Sequence, residues 1–309
     1  MQKTRNGMVL AIASRDLARA KAAAETFAIP RAYGSYEELL ADVDVDAVYI
    51  PLPNTLHAQW TSRSANAGKH VLCEKPLATS SLEARGMVEA CAENGVLFLE
   101  AFMYRFHPRH ERVRTLLAEG VIGDVRFVRS SFTDMLEPFG PARAGSHDPI
   151  SGGALLDLGS YCVSVSRMLF GEEPVWASAQ WDYREDLGGE VSAAGILGFS
   201  QNRSAVFDCG FRAFGRGFYV VAGTKGQIDV HDAFATGLGE QIIRVSGTTG
   251  ERTERIPAAD HYAMEAAALA DAVLGKKTLP IRPDDGVSTI KAIDALRASA
   301  KLGGIRAYL

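Results

Sequence analysis

The chain has 309 residues, of which 47% are hydrophobic and 23% charged, and its 33 basic and 37 acidic side chains leave a formal net charge of −4. This balance excludes a disordered chain, and the lack of a basic stripe argues against nucleic acid as a partner. No apolar run approaches the roughly 18 residues of a membrane span, and residues 1–7 contain no signal-peptide core. Cys73, Cys91, Cys162 and Cys209 sit in apolar stretches without a CxxC pair, which predicts buried, reduced thiols in a cytoplasmic protein.

In chain order, residues 9–13 predict a buried strand, followed by Ser14-Arg15-Asp16 and an Ala-rich helix over 17–27. A short helix is expected over 36–41, then an apolar strand at 46–50 broken by Pro51 and Pro53. A helix over 56–67 stops at Gly68. The strand at 70–73 ends in Glu74-Lys75-Pro76, a capped helix runs from Ser80 to Glu93, and 96–99 form a further strand. Short apolar runs separated by helices mean parallel strands with crossover connections, so residues 1–105 read as a doubly wound α/β domain.

The pattern changes after a helix near 108–119. Strand-like runs at 125–132, 175–181, 193–199, 205–211, 218–222, 227–230 and 242–245 follow one another with turns between them. Only a helix over 153–169 interrupts them. This predicts a mostly antiparallel sheet in an α+β domain over 106–309. Helices near 261–274 and 285–301 close the chain, within this domain or packed back on the first.

A dinucleotide domain opens with a strand and a Gly-rich turn, yet no GxGxxG occurs in the 309 residues. Ser14-Arg15, at the end of the first predicted strand, stands where such a fold places its ribose-reading residue, which follows the second strand. The sequence therefore reads as beginning inside the first crossover helix. The expectation is that these residues alone bind a dinucleotide poorly and leave the sheet incomplete beside 9–13.

Three segments carry a resemblance. They are Ile50-Pro51-Leu52-Pro53-Asn54-Thr55-Leu56-His57, Gly68-Lys69-His70-Val71-Leu72-Cys73-Glu74-Lys75-Pro76 and Gly152-Gly153-Ala154-Leu155-Leu156-Asp157-Leu158-Gly159-Ser160-Tyr161. In this order they closely resemble the glucose–fructose oxidoreductase / inositol dehydrogenase / MocA family. Tyr161, together with Phe102-Met103-Tyr104-Arg105-Phe106-His107-Pro108, is most similar to its NADP-dependent sugar branch, which includes D-xylose and dimeric dihydrodiol dehydrogenases. The resemblance implies hydride transfer between a sugar or cyclic diol and a nicotinamide, with Tyr161 as acid/base, Lys75 assisting its ionisation and Asp157 orienting the substrate. A tyrosine is a poor base at its ordinary pKa of about 10, and a neighbouring ammonium favours the phenolate.

The cofactor side is expected at Ser14, Arg15, Arg19, Pro51, Leu52, Asn54, His57, Glu74, Lys75, Pro76 and Arg105. Ser14-Arg15 offers a hydroxyl and a guanidinium in place of an acid, which suits a 2′-phosphate and predicts NADP over NAD. His57 is expected to order its turn, and the Lys75–Pro76 bond to be cis. No His, Cys, Asp and Glu set has metal spacing, since His107-x-x-His110 lacks a third ligand, so no metal is expected. Substrate choice is expected to rest on loops such as 133–149, and a homodimer or homotetramer is expected through the C-terminal sheet. A non-catalytic nucleotide- or sugar-binding relative and a truncated gene product with impaired cofactor binding remain the alternatives.

Overall fold

The computed structural model describes residues 4, 6–135, 152–234, 237, 239–248 and 250–309, so only the first three residues of the loop 133–149 fall within it. The chain divides into two compact units, one of Met1–Leu77, Leu82–Met103 and His261–Asp285, the other of Ala78–Ser81, Tyr104–Asp260 and Gly286–Leu309.

In the first unit, β1 (Ala11–Ala13) pairs in parallel with β2 (Arg31–Tyr33) through α1 (Leu17–Phe27). Asp16 caps α1 by accepting from the backbone N–H of Ala18 at 2.8 Å and of Arg19 at 3.3 Å, which satisfies donors that the helix itself leaves open. Ala20 and Ala24, one turn apart, form its buried stripe. After α2 (Tyr36–Ala41), a second parallel sheet of order β3-β4-β5 is built from Ala47–Ile50, His70–Glu74 and Phe98–Ala101. The crossovers between these strands are α3 (Asn54–Asn66) and α4 (Ser81–Glu93). Val71, Leu72, Cys73 and all of β5 are buried, as expected of parallel strands covered on both faces.

Where the sequence predicts a sheet incomplete beside 9–13, the parallel strands form two pieces: among the described residues, β1 pairs only with β2 and β3 only with β4. The strand at Arg31–Tyr33 is not evident from the sequence, because three residues after Pro30 are too few to show a period. The helix α7 (His261–Val273) also belongs to this unit, where Asp271 and the carbonyl of Ala267 accept from the side-chain amide of Asn6 at 2.6 and 3.1 Å. Two helices, α5 (Pro108–Ala118) and α6 (Ser160–Phe170), belong to the second unit.

The second unit is a nine-stranded sheet of order β13-β12-β11-β10-β6-β9-β8-β7-β14. Its strands are β6 (Val125–Met135), β7 (Trp176–Arg184), β8 (Gly189–Gly198), β9 (Ser204–Gly210), β10 (Arg212–Gly223), β11 (Gly226–His231), β12 (Gln241–Gly247), β13 (Gly250–Ile256) and β14 (Ala307–Tyr308). All neighbours are antiparallel except β6 and β9. The register places Val128, Ala205, Leu197, Val221 and Ile228 on one buried face. Phe127, Ile196 and Ile242 lie on the other, and each is a little over one third exposed.

The helix predicted over 153–169 is a π-turn at Leu155–Gly159 running into α6. Apart from Met168 every residue of α6 is buried, which marks a helix enclosed on all sides rather than a surface one. Its Arg167 is held by Glu173 at 2.6 and 2.7 Å and donates to the hydroxyl of Thr289 at 2.7 Å on α8 (Asp285–Lys301).

Candidate active site

In the first unit the sequence-predicted residues gather at the carboxyl ends of parallel strands, where open α/β sheets bind ligands. β4 ends at Glu74, and the Lys75–Pro76 bond that follows is cis, as the resemblance implies. Four groups hold this corner. Glu74 accepts from its neighbour's N–H, that of Lys75, at 3.1 Å and from the Tyr49 hydroxyl at 2.5 Å. Glu100 on β5 accepts from the N–H of Leu77 at 3.0 Å. The fully buried His57 ring faces the carbonyls of Pro76 and Leu77 with Nδ1, at 3.1 and 3.3 Å, and that of Leu52 with Nε2, at 2.8 Å. His57 therefore ties the Pro51–Leu52 turn to the lysine corner. Burial holds its pKa below the usual histidine range, although the carbonyls at both nitrogens pull the other way. A neutral imidazole has one N–H to give, so it donates to only one of these two sides at a time.

Two buried acids here are absent from the sequence reading. Glu100 is 7% exposed, and its signal was a lone charge inside an apolar strand. Glu265 on α7 is 3% exposed, and its Oε1 has no hydrogen-bond partner among the described residues. Burial, followed by the charges of Glu74 and Glu100, pushes its carboxyl up to about 9, so it is a neutral acid at pH 7. Burial and Glu74 likewise raise the phenol of Tyr49.

At the end of β1, Ser14 donates its N–H to the carbonyl of Tyr33 at 3.2 Å, and its hydroxyl accepts from the N–H of Asp16 at 3.3 Å. Arg15 and Arg19 are exposed beside the start of α1. The capping role falls to Asp16, which the sequence signalled as an acid directly before the first helical residue. Pro51 is exposed, while Leu52 and Asn54 are half-buried around the start of α3.

In the second unit, Asp157 lies within the π-turn and Tyr161 in the first turn of α6, 7% and 4% exposed. The helix expected over 153–169 therefore opens with a wider turn, a feature common at functional sites. The Tyr161 ring packs against Phe132 at 5.0 Å, Phe234 at 5.4 Å and Tyr104 at 5.6 Å between centroids. Arg105, expected on the cofactor side, belongs to this unit, and its Nη1 lies 3.4 Å from the hydroxyl of Ser164 on α6. The Tyr104 hydroxyl donates to the same Ser164 at 2.8 Å.

The start of this helix is set by Glu190, which accepts from the N–H of Leu155 at 3.2 Å and from Arg297 at 3.1 Å. Arg297 also donates to the carbonyl of Gly152. Gly153 has φ of 97°, and a Cβ there would stand 2.3 Å from the Glu190 carboxyl carbon. Gly153→Ala is expected to destabilise the protein by about 1–3 kcal/mol through left-handed strain and overpacking. An unchanged denaturation midpoint would show that Glu190 can step aside. Among the described residues no group of three or more His, Cys, Asp and Glu could hold a metal ion, and no helix is long and apolar enough to cross a membrane.

Residues 1–102 match the model of an oxidoreductase family with an NAD-binding Rossmann fold, GFO_IDH_MocA, and residues 110–229 match the GFO/IDH/MocA C-terminal domain. The chain belongs to the Gfo/Idh/MocA oxidoreductase family. Within that family it is 39% identical to D-xylose 1-dehydrogenase (NADP(+)) 2 of Haloferax volcanii, over 95% of this chain and 90% of the relative. It is 38% identical to trans-1,2-dihydrobenzene-1,2-diol dehydrogenase of Xenopus laevis, over 72% of this chain and 66% of the relative.

Among solved structures, the 3-ketoreductase KijD10 of Actinomadura kijaniata, in complex with TDP-benzene and NADP, superimposes with a TM-score of 0.86 at 31% identity. That match covers 96% of this chain and 91% of the reductase. The same reductase has been solved with a lysine replaced by alanine and with a tyrosine replaced by phenylalanine, each at a TM-score of 0.85.

Proposed function

We propose that this Gfo/Idh/MocA protein is an NADP-dependent oxidoreductase that exchanges hydride between a carbinol carbon of an aldopyranose or cyclic diol and the nicotinamide. The observation that carries the reading is the corner in which Glu74, Glu100 and His57 hold Lys75 at a parallel strand end. The D-xylose, dihydrodiol and ketoreductase relatives support the substrate class, and the NADP of the D-xylose dehydrogenase and of the ketoreductase complex supports the cofactor. The half-buried Ser14, with the exposed Arg15 and Arg19, has the donor chemistry for a 2′-phosphate, and Leu52, Asn54, Glu74 and Lys75 are assigned to the nicotinamide side. When bound, the cofactor supplies the hydride acceptor. Tyr161 removes the hydroxyl proton, Lys75 supplies the positive charge that eases ionisation of that phenol, and Asp157 orients the substrate. The lysine and tyrosine variants of the ketoreductase involve the same two residue types.

Turnover of a pyranose or cyclic diol with NADP+, read by the absorbance of reduced nicotinamide, is the expected result. NADP(H) binding without turnover across a panel of both would overturn it in favour of a non-catalytic binder. Replacing Ser14 with Asp and Arg15 with Gln is expected to shift preference toward NAD by about tenfold or more, since each charge-assisted bond contributes about 1.5–3 kcal/mol. Unchanged NADP/NAD selectivity in competitive titration would sink the assignment of that pair. The sheet face bearing Phe127, Ile196 and Ile242 is the surface proposed to pair with a second copy, a point settled by light scattering of the wild type against Ile196→Glu.

A further inference from the structure

Arg109 on α5 is fully buried, and so is Phe234, the residue reached soon after β11 ends. Between them lies a turn whose carbonyls are captured one after another. The Arg109 guanidinium donates to the carbonyl of His231 at 3.0 Å, to the carbonyl of Asp232, and to the side-chain oxygen of Gln241 at 3.1 Å. His110 Nε2 faces the carbonyl of Ala233 at 3.2 Å, and its Nδ1 lies 3.0 Å from the Tyr219 hydroxyl.

Either neutral tautomer serves this ring: Nε2–H donates to Ala233 while Nδ1 accepts from Tyr219, or Nδ1–H donates to Tyr219 while Nε2 accepts from the Arg109 Nε–H at 3.4 Å. Burial and the nearby Arg109 charge hold His110 neutral, which agrees. The turn also carries Asp232 at φ 47°, in the left-handed region that a non-glycine residue adopts only when its surroundings impose it. The N–H of Ala233 donates to the carbonyl of Gly217 at 2.7 Å. Chain direction is thus set at three successive peptide groups. The next side chain, Phe234, meets Phe132 at 5.2 Å, Tyr161 at 5.4 Å and Tyr104 at 5.6 Å between ring centroids.

We propose that Arg109 is a positioning residue: by clamping the carbonyls of His231 and Asp232 it seats Phe234 against the Tyr161 ring and thereby fixes the phenol for proton transfer. The catalytic half of this statement rests on the role proposed for Tyr161. A planar fork suits two adjacent carbonyls in a way that an ammonium does not, so Arg109→Lys retains the charge and loses part of the clamp.

The test uses the full chain labelled with 3-fluorotyrosine, with the Tyr161 resonance assigned from Tyr161→Phe, alongside kcat and KM for D-xylose with NADP+. Arg109→Met and Phe234→Leu are expected to move the Tyr161 resonance in common and to lower kcat about tenfold with KM little changed, short of the roughly hundredfold that a full 1 Å misplacement costs. Arg109→Lys is expected to fall between these and wild type in both readouts. A Tyr161 resonance unmoved in folded Arg109→Met overturns the inference. If that variant does not fold, a wild-type resonance in Arg109→Lys does so instead. A moved resonance beside undiminished turnover in Tyr161→Phe would leave the positioning intact and overturn the proton-transfer role alone.

Discussion

Tyr161→Phe is expected to lower kcat by about 10²–10⁴, the range that a positioned acid/base contributes, while leaving the melting temperature nearly unchanged. The ring that packs against Phe132, Phe234 and Tyr104 survives the substitution, so only the hydroxyl is lost. Lys75→Ala should reduce kcat over the same range, because the corner formed by Glu74, Glu100 and His57 is built largely on backbone groups and persists without the ammonium. The double variant should fall little below the worse single one, since groups acting on one proton transfer are non-additive. Steady-state kinetics on a turned-over sugar or diol decides the matter. Near-full turnover in Tyr161→Phe would assign proton transfer to another group, and strictly additive losses would separate the lysine from the tyrosine.

The second large effect is on stability. Glu265 has its carboxyl raised to about 9 by burial and by Glu74 and Glu100, against about 4.3 in an unfolded chain. A group raised in the native state binds more protons folded than unfolded between these values. Its favourable contribution is complete below about pH 4.3 and is lost as pH rises toward 9. Wild type is therefore expected to lose stability toward alkaline pH with a contribution approaching 1.4 kcal/mol per pH unit from this residue. Glu265→Gln keeps the shape of the neutral acid and cannot ionise, so this slope should disappear. Urea denaturation at several values between about pH 5 and 9 provides the comparison. Parallel slopes for the two proteins would mean that Glu265 is ionised in the native state.

What the sequence determined by itself was what neighbouring residues decide. Periodicity and stop signals placed the helices at Asp285–Lys301 and Ser81–Glu93, because a helix is written largely in the spacing of one contiguous segment. The alternation of strands and helices up to residue 101, then strand after strand, marked the change from parallel to antiparallel pairing. Motifs carried Lys75, Asp157 and Tyr161, since each is embedded in a local turn chemistry of Pro and Gly. The tertiary structure alone decided which charges are buried. Glu100, Glu190 and Glu265 look like ordinary acids in the sequence, and Arg109 looks like a solvated helix residue, yet each is at least nine-tenths buried among groups far away in the chain. Strand order, including the parallel contact of β6 with β9 across some eighty residues, was equally out of reach. Burial and pairing are sums over distant contacts, so the acids and the arginine that shape the site became visible only once the fold had brought their neighbours to them.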